Sequence, residues 1–344
     1  RVPTSVLVLS LPPLVISVRL FRPRPCDLAP ILPILSQIKM AFREPGGNVR
    51  AMNLLLLALV PACFAMNPVI GRAMAGVFGP ASLSVTRWVL SGLIIAAVAL
   101  ARGRAERWRA PAGLYGRLVV LGALGMGFCA YAAFAAARTT TATNISLIYA
   151  CTAALVAAWE MGAGRQRVTL TLLTGIVACL AGVATILTRG HPEVLLALTF
   201  TPGDLWAAAG TLVFAGYTVA MRRVPAGLTP LAQFSIMSVG ATLALLPVAV
   251  SEVAAAGVPA ITAATLPWLA ALVLVAGIGA FLGYNLSLIR NGPVLTSASI
   301  SLNPIYAAGL AIVLIGEQLA WYHAVALATV VGGLLLINRS QGRR

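Results

Sequence analysis

Charge is what this sequence has least of. Only 9% of its 344 residues are Asp, Glu, Lys or Arg, and 60% are hydrophobic. A soluble domain carries about 25% charged and about 45–50% apolar residues. A chain so poor in charge cannot cover a water-facing surface, which excludes a cytosolic enzyme. Acids are scarcer than bases, 8 against 24, for a net charge of +16. Such a balance can mark a nucleic-acid binder. Here the arginines fall in short clusters between long apolar runs, with no basic stripe interleaved with aromatics, so no nucleic-acid partner is expected. Lysine occurs once, at Lys39, and we read the arginine excess as coding bias.

Cysteine and histidine are also sparse. Cys26, Cys63, Cys129, Cys151 and Cys179 are odd in number and no pair has CxxC spacing. Four of them sit inside apolar runs, where cysteine acts as a small hydrophobe. His191 and His323 are too few and too far apart for zinc or haem. Neither a metal nor a cofactor is expected.

Residues 1–39 are rich in proline and arginine, and their one apolar run, Val6–Val18, is broken by Pro12 and Pro13. It is too short and too kinked to span a bilayer. Charge ahead of an apolar core also fits a signal peptide, but no small-residue cleavage site follows. We read 1–51 as an extension, disordered or translated upstream of a start at Met40 or Met52.

What is present is a series of ten apolar segments, each near the length of about 20 residues that a bilayer needs. They run over 52–70, 81–101, 118–137, 139–159, 168–188, 204–221, 231–250, 267–289, 293–315 and 320–338. The arginines orient them. Loops on one side carry Lys39, Arg43, Arg50, Arg102, Arg104, Arg107, Arg109, Arg117, Arg165, Arg167, Arg222, Arg223, Arg290, Arg339, Arg343 and Arg344. Loops on the other carry Arg72, Arg138 and Arg189. Lys and Arg concentrate in short cytoplasmic loops, so both termini, including the basic tail 339–344, are placed in the cytoplasm. Residues 189–203 become an external linker.

The two halves echo each other. Tyr131, Thr143 and Ser146 recur 153 positions later as Tyr284, Thr296 and Ser299. Five spans per half is an odd number, so a duplicated unit enters the membrane inverted. Inverted repeats are common in secondary transporters, with the solute site near the midplane between halves. The fold class expected is therefore an all-α membrane protein, with ten transmembrane helices as two inverted five-helix repeats, 52–188 and 204–338.

Particular residues carry a family resemblance. Gly203-Asp204-Leu205, the run Gly216-Tyr217-Thr218-Val219 and Arg222-Arg223 look like the opening helix of an EamA-type repeat. Pro80-Ala81 through Arg87-Trp88 to Arg102-Gly103-Arg104 is similar to that family's second helix. Asn303-Pro304 followed by Gly316-Glu317-Gln318-Leu319 resembles its penultimate helix and turn, and Gly332-Gly333 its last helix. Phe64-Ala65-Met66-Asn67-Pro68 lacks the usual Trp-Gly of the first helix, and Cys151 stands at the family proline. The resemblance covers about residues 52–338. It implies the drug/metabolite transporter (DMT) superfamily, with two EamA domains moving a small metabolite or drug, usually by export, and no enzymatic activity.

Arg87 is the one charge well inside a span. At mid-helix it costs about 2.5–3.5 kcal/mol on the insertion scale, so it either faces the bundle with a function or snorkels to the outer interface. Asp204, Glu317 and Pro304 are read as structural, the two acids capping the helices that follow them. Glu160 is a weaker candidate at the inner end of the fourth span. At depth the polar groups are Asn67, Tyr131, Asn144, Tyr149, Tyr217, Tyr284, Asn285 and Asn303. Each is either interhelical glue or, as a set, the lining of a central polar cavity, with Pro61, Pro68 and Pro304 kinking its walls. Trp88 and Trp206 would stand nearer the mouths. Such a lining with Arg87 suits a neutral, zwitterionic or aromatic solute better than a polyanion. The expected place is a bacterial inner membrane. An intramembrane enzyme and a non-transporting partner subunit are the alternatives, and the oligomeric state stays open.

Overall fold

The computed structural model describes residues 10–11, 14–15, 47–101, 111–164, 168–191, 201–221, 224, 228–300 and 302–341. Two compact units are distinguished, 1–50 and 51–344. In the first, β1 (Ser10–Leu11) pairs antiparallel with β2 (Leu14–Val15), with Leu11 opposite Leu14. That two-residue ladder lies within the 1–51 extension, outside the helical repeats. Of the expected extension 1–51, residues 10–11, 14–15 and 47–51 are described, the last as the start of a helix; the rest of it, the 192–200 stretch of the linker, and most of the arginine-bearing loops lie outside the described residues.

The second unit is helical. Its elements are α1 (Gly47–Met74, begun in the first unit), α2 (Pro80–Ala101), α3 (Ala112–Leu121), α4 (Cys129–Ala136), α5 (Ala142–Ala150), α6 (Thr152–Gly162) and α7 (Leu170–Leu187). After them come α8 (Pro202–Met221), α9 (Pro230–Ala256), α10 (Leu266–Ala270), α11 (Ala280–Ile300), α12 (Asn303–Ile315) and α13 (Trp321–Gln341). Two π-helical segments, Gly122–Phe128 and Ala271–Gly279, join α3 to α4 and α10 to α11 without a break.

Among the described residues seven helical stretches are long and apolar enough to cross a membrane: Met52–Met74, Pro80–Ala101, Gly113–Ala136, Ala142–Gly162, Pro202–Met221, Pro230–Ala256 and Leu266–Tyr284. Leu170–Ile186, Asn303–Ile315 and Trp321–Ile337 are apolar but shorter. Their outward faces are greasy, as lipid contact requires: Leu93, Leu100, Val177, Leu212 and Val313 are all exposed.

Helix boundaries differ from the expected ones in several places. The turn foreseen near 289–293 is absent, because α11 continues to Ile300. Pro293 there removes one backbone donor and does not end the helix. The break falls instead at Leu302, after which Asn303 and Pro304 open α12. Pro304 thus starts a helix, where its missing N–H costs nothing, and does not kink one. Pro61 and Pro68 do lie inside α1. The fourth span breaks in the same manner, at Cys151 between α5 and α6, and the Cys151 Sγ donates to the Cys179 carbonyl at 3.2 Å.

Small residues set the helix crossings. A Cβ on Gly122 would strike the Met237 backbone, and one on Gly240 the Val119 backbone, so the third and seventh spans touch main chain to main chain. Gly333 and Gly175 do the same for α13 and α7, each lying against the other's carbonyl. One buried cluster, including Ile70, Leu83, Trp88, Met126, Phe234, Met237 and Leu272, joins helices from both halves. A second, including Leu147, Leu172, Cys179, Val330 and Leu334, lies among α5, α6, α7 and α13.

Candidate functional site

Pro68 determines the chemistry around Arg87. A proline cannot donate to the carbonyl four residues before it, so the Phe64 carbonyl is left without its helical partner. The Asn67 side-chain amide takes it, Nδ2 donating to Phe64 O at 3.1 Å. That fixes the amide with Oδ1 pointing away from α1, and Arg87 Nη1 donates to it at 2.5 Å. The other end of the guanidinium reaches the π-helical segment, Nη2 donating to the Ala276 carbonyl at 2.8 Å. One turn along α2, Ser91 Oγ donates to Val273 O at 3.1 Å. A π-helical turn displaces carbonyls from the i−4 ladder and offers them to neighbours, and α2 uses both such segments: Trp88 Nε1 donates to Met126 O in the other, at 3.0 Å.

Arg87 is only 3% exposed. It faces the bundle, and the snorkelling alternative is set aside. Its guanidinium carbon lies 4.1 Å from the centre of the Trp88 ring, which spreads the charge over an aromatic face. Phe281 meets Trp88 edge-on at 5.3 Å and Phe64 at 5.5 Å, and Phe64 meets Tyr284 edge-on at 6.1 Å. Asn67, Arg87 and Tyr284 therefore belong to one polar–aromatic cluster of the first, second and eighth spans. Arg87 Nε in this cluster is buried without a partner. Trp88, expected near a mouth, is in the core because its indole N–H and its ring are both used there.

A second cluster lies on α4, α5 and α8. Tyr131 meets Trp206 edge-on at 5.3 Å. Tyr149 Oη donates to Cys129 O at 2.8 Å and occupies the space left by Gly210. Tyr217 packs over Gly125 and stacks on Phe214 at 5.5 Å. Asn303 keeps a buried Oδ1 without a partner at the start of α12. The Asn285 side chain lies outside the described residues.

Asn144 is elsewhere. The fourth span starts at Ala142, not at 139, because Thr141 caps it and accepts from Asn144 N at 3.1 Å. Asn144 therefore stands in the first turn, where its Nδ2 donates to Thr140 Oγ1 at 3.1 Å. Thr140 donates in turn to Asp204 Oδ1 at 2.7 Å. Thr201 caps α8, its Oγ1 accepting from Asp204 N at 3.2 Å and donating to Asp204 Oδ2 at 2.6 Å.

Glu317 does not cap the helix that follows it. The α12 helix ends with Gly316 at φ 66°, a left-handed residue, and Glu317 N donates back to Ala311 O at 3.1 Å. This closure turns the carboxylate away from α13 and onto the start of α5. It accepts from Ala142 N at 2.8 Å, Thr143 N at 3.3 Å and Thr143 Oγ1 at 2.8 Å. The α13 helix is served by His323, whose Nδ1 accepts from Ala320 N at 3.0 Å.

Glu252 was missed by sequence reasoning, which ended the seventh span at 250. The α9 helix runs on to Ala256, and the Glu252 carboxylate accepts from Ala81 N at 3.0 Å, Ser82 N at 2.8 Å and Ser82 Oγ at 2.9 Å. A signal existed: α2 opens on Pro80-Ala81-Ser82 with no acid in its first turn. Its orphan N–H groups needed an acceptor from another segment.

Among the described residues no group of three His, Cys, Asp or Glu side chains could hold a metal ion. The model of the EamA-like transporter family matches the chain twice, over 51–188 and 201–339. No curated protein matches. One solved crystal structure aligns with a TM-score of 0.58 at 20% identity, over 83% of this chain and 98% of the other, a likeness of fold.

Proposed function

Since the chain belongs to the EamA-like transporter family, we propose that it is a secondary transporter moving a small solute out of the cell by alternating access. In this reading ten spans form two inverted five-helix repeats, 52–188 and 204–338, in a bacterial inner membrane with both termini in the cytoplasm. The solute is neutral, zwitterionic or aromatic.

One observation carries it. A buried cation at bilayer depth, Arg87, lies where the first half meets the second and bonds to Ala276 across that meeting. Charge inside a membrane is costly and marks function. Internal likeness of the halves supports the duplication. The third span of each carries a π-helical segment, and 149 positions separate Gly122 from Ala271. Helices divide at corresponding places, α5 from α6 at Cys151 and α11 from α12 at Leu302. Counterparts also pack together: α2 with α9, α5 with α12, and α7 with α13. Two halves joined through like helices can rock about their seam. The clusters around Tyr284 and around Tyr131, each edge-on to an aromatic of the other half's first span, offer ring faces and neutral donors to a solute.

The test is an untargeted comparison of extracellular metabolites from cells with and without the gene. An exporter leaves at least one small solute depleted outside and accumulated inside when the gene is absent. Identical profiles under expression of the protein would count against export.

A further inference from the structure

Among the described residues, three carboxylates at one end of the bundle bond the two halves together. Asp204, Glu252 and Glu317 all come from the second half, and all three bind groups of the first half: Thr140, the start of α2 and the start of α5. On the proposed topology these are the outer ends of their helices. We propose that Glu252 and Glu317, with Asp204 beside them, form a latch that holds the two halves shut at the outer end and must be released in each transport cycle. The inference rests on the alternating-access reading above.

The latch is built into the backbone. In α2 the first residue is Pro80, which has no N–H, and Glu252 takes the next two, Ala81 and Ser82. In α5 Glu317 takes the N–H groups of Ala142 and Thr143, and Thr141 takes that of Asn144. No first-turn donor of either helix is left for water. Each carboxylate meets the positive end of a helix macrodipole and a hydroxyl, which are charge-assisted bonds in a half-buried place. Gly79 supports the fit independently: a Cβ there would occupy the space of the Glu252 carboxylate. Gly203 likewise lets the start of α8 lie against the Ala136 carbonyl and the Thr139 hydroxyl.

Among the described residues no carboxylate bonds the halves together at the inner end. Positions 150–153 residues before Glu252 hold Ala99, Leu100, Ala101 and Arg102, and those before Glu317 hold Gly164, Arg165, Gln166 and Arg167. Glu160 falls a turn too early, inside α6. At these aligned positions the first half's sequence has no acid; its Glu106, four residues further along, lies outside the described residues. The bonds between halves described at the inner end involve no carboxylate: Arg117 Nη2 to Ala220 O at 3.2 Å, exposed, and Asn291 Nδ2 to Asn53 O at 3.4 Å, part-buried. Unequal clamps make the outer-closed arrangement the resting one.

Two positions measure the latch by paired spin labels in lipid nanodiscs, on a background whose cysteines are replaced: Thr139→Cys in the first half and Gln318→Cys in the second, both exposed. Glu252→Gln with Glu317→Gln keeps size and an acceptor oxygen while removing charge. The expected result is a longer outer distance whose population rises about tenfold for each carboxylate neutralised, the scale of one charge-assisted bond. Gly79→Ala, which displaces Glu252 sterically, should lengthen the same distance with the charges intact. An unchanged outer distance in folded double-Gln protein would overturn the latch, and so would an unchanged distance in Gly79→Ala if the double variant does not fold. Solute flux is read separately. Flux with an unmoved outer pair refutes the latch alone, and a widened outer pair without flux refutes the transport reading alone.

Discussion

Asn67 and Arg87 are joined because a proline follows Asn67. Pro68 frees the Phe64 carbonyl, the Asn67 amide nitrogen satisfies it, and the amide oxygen is thereby turned to receive Arg87 Nη1. The same guanidinium ends on the Ala276 carbonyl, so one relay links a proline in the first span to a π-helical segment in the eighth.

This relay predicts non-additive substitutions. Asn67→Leu leaves the Phe64 carbonyl and Arg87 Nη1 without partners and should cost about 1–3 kcal/mol for each. Adding Pro68→Ala restores a backbone donor to Phe64 O, so the double variant should recover part of that loss. Thermal unfolding in detergent checks it, and a double variant less stable than Asn67→Leu alone would contradict the relay.

Arg87→Ala should lower the unfolding temperature more than Arg87→Lys. Alanine strands the Asn67 oxygen and the Ala276 carbonyl, whereas a lysine ammonium can serve one of them but lacks the planar fork that spans both. Equal temperatures for the two variants would mean that the paired bonds contribute nothing.

Helix contact through glycine predicts sharp positional differences. Gly333→Val would drive its branches into the Gly175 carbonyl and Cys179, while Gly332 has open space where a Cβ would stand. Gly333→Val should therefore abolish stable protein, and Gly332→Val should be recovered from membranes at near wild-type level. Immunoblots of purified membranes decide between them.

The Gly316 turn predicts a distant effect. A residue with a Cβ is strained at φ 66° by about 1 kcal/mol, and its turn aims Glu317 at α5. Gly316→Ala should raise amide hydrogen exchange at Ala142 and Thr143, far away in sequence. Unchanged exchange there would separate the turn from the cap.

Much of this was legible in the sequence. Apolar segments of bilayer length located the helices, and a single arginine within one of them identified Arg87 as a group needing partners. Partners were not legible, since Glu317 lies beside one helix in sequence and caps another in space. Glu252 was hidden because a helix end shifted by a few residues turned it from a loop acid into a cap. The π-helical segments left no mark, for one extra residue per turn is lost in any hydrophobic period read over a whole span. Asn144 was misplaced for a like reason: a start at 142 moves it from mid-membrane to the first turn.

Whether the two halves carry a solute between them is tested most directly by counterflow in proteoliposomes. Vesicles containing the purified protein are loaded with an excess of the solute identified from cells and diluted into a trace of its labelled form. A carrier that alternates its access takes label up transiently above the outside concentration, and vesicles without protein do not. The account predicts that overshoot, reduced in Tyr131→Phe and Tyr284→Phe through weaker solute affinity. Label that merely equilibrates, or never enters, would contradict it.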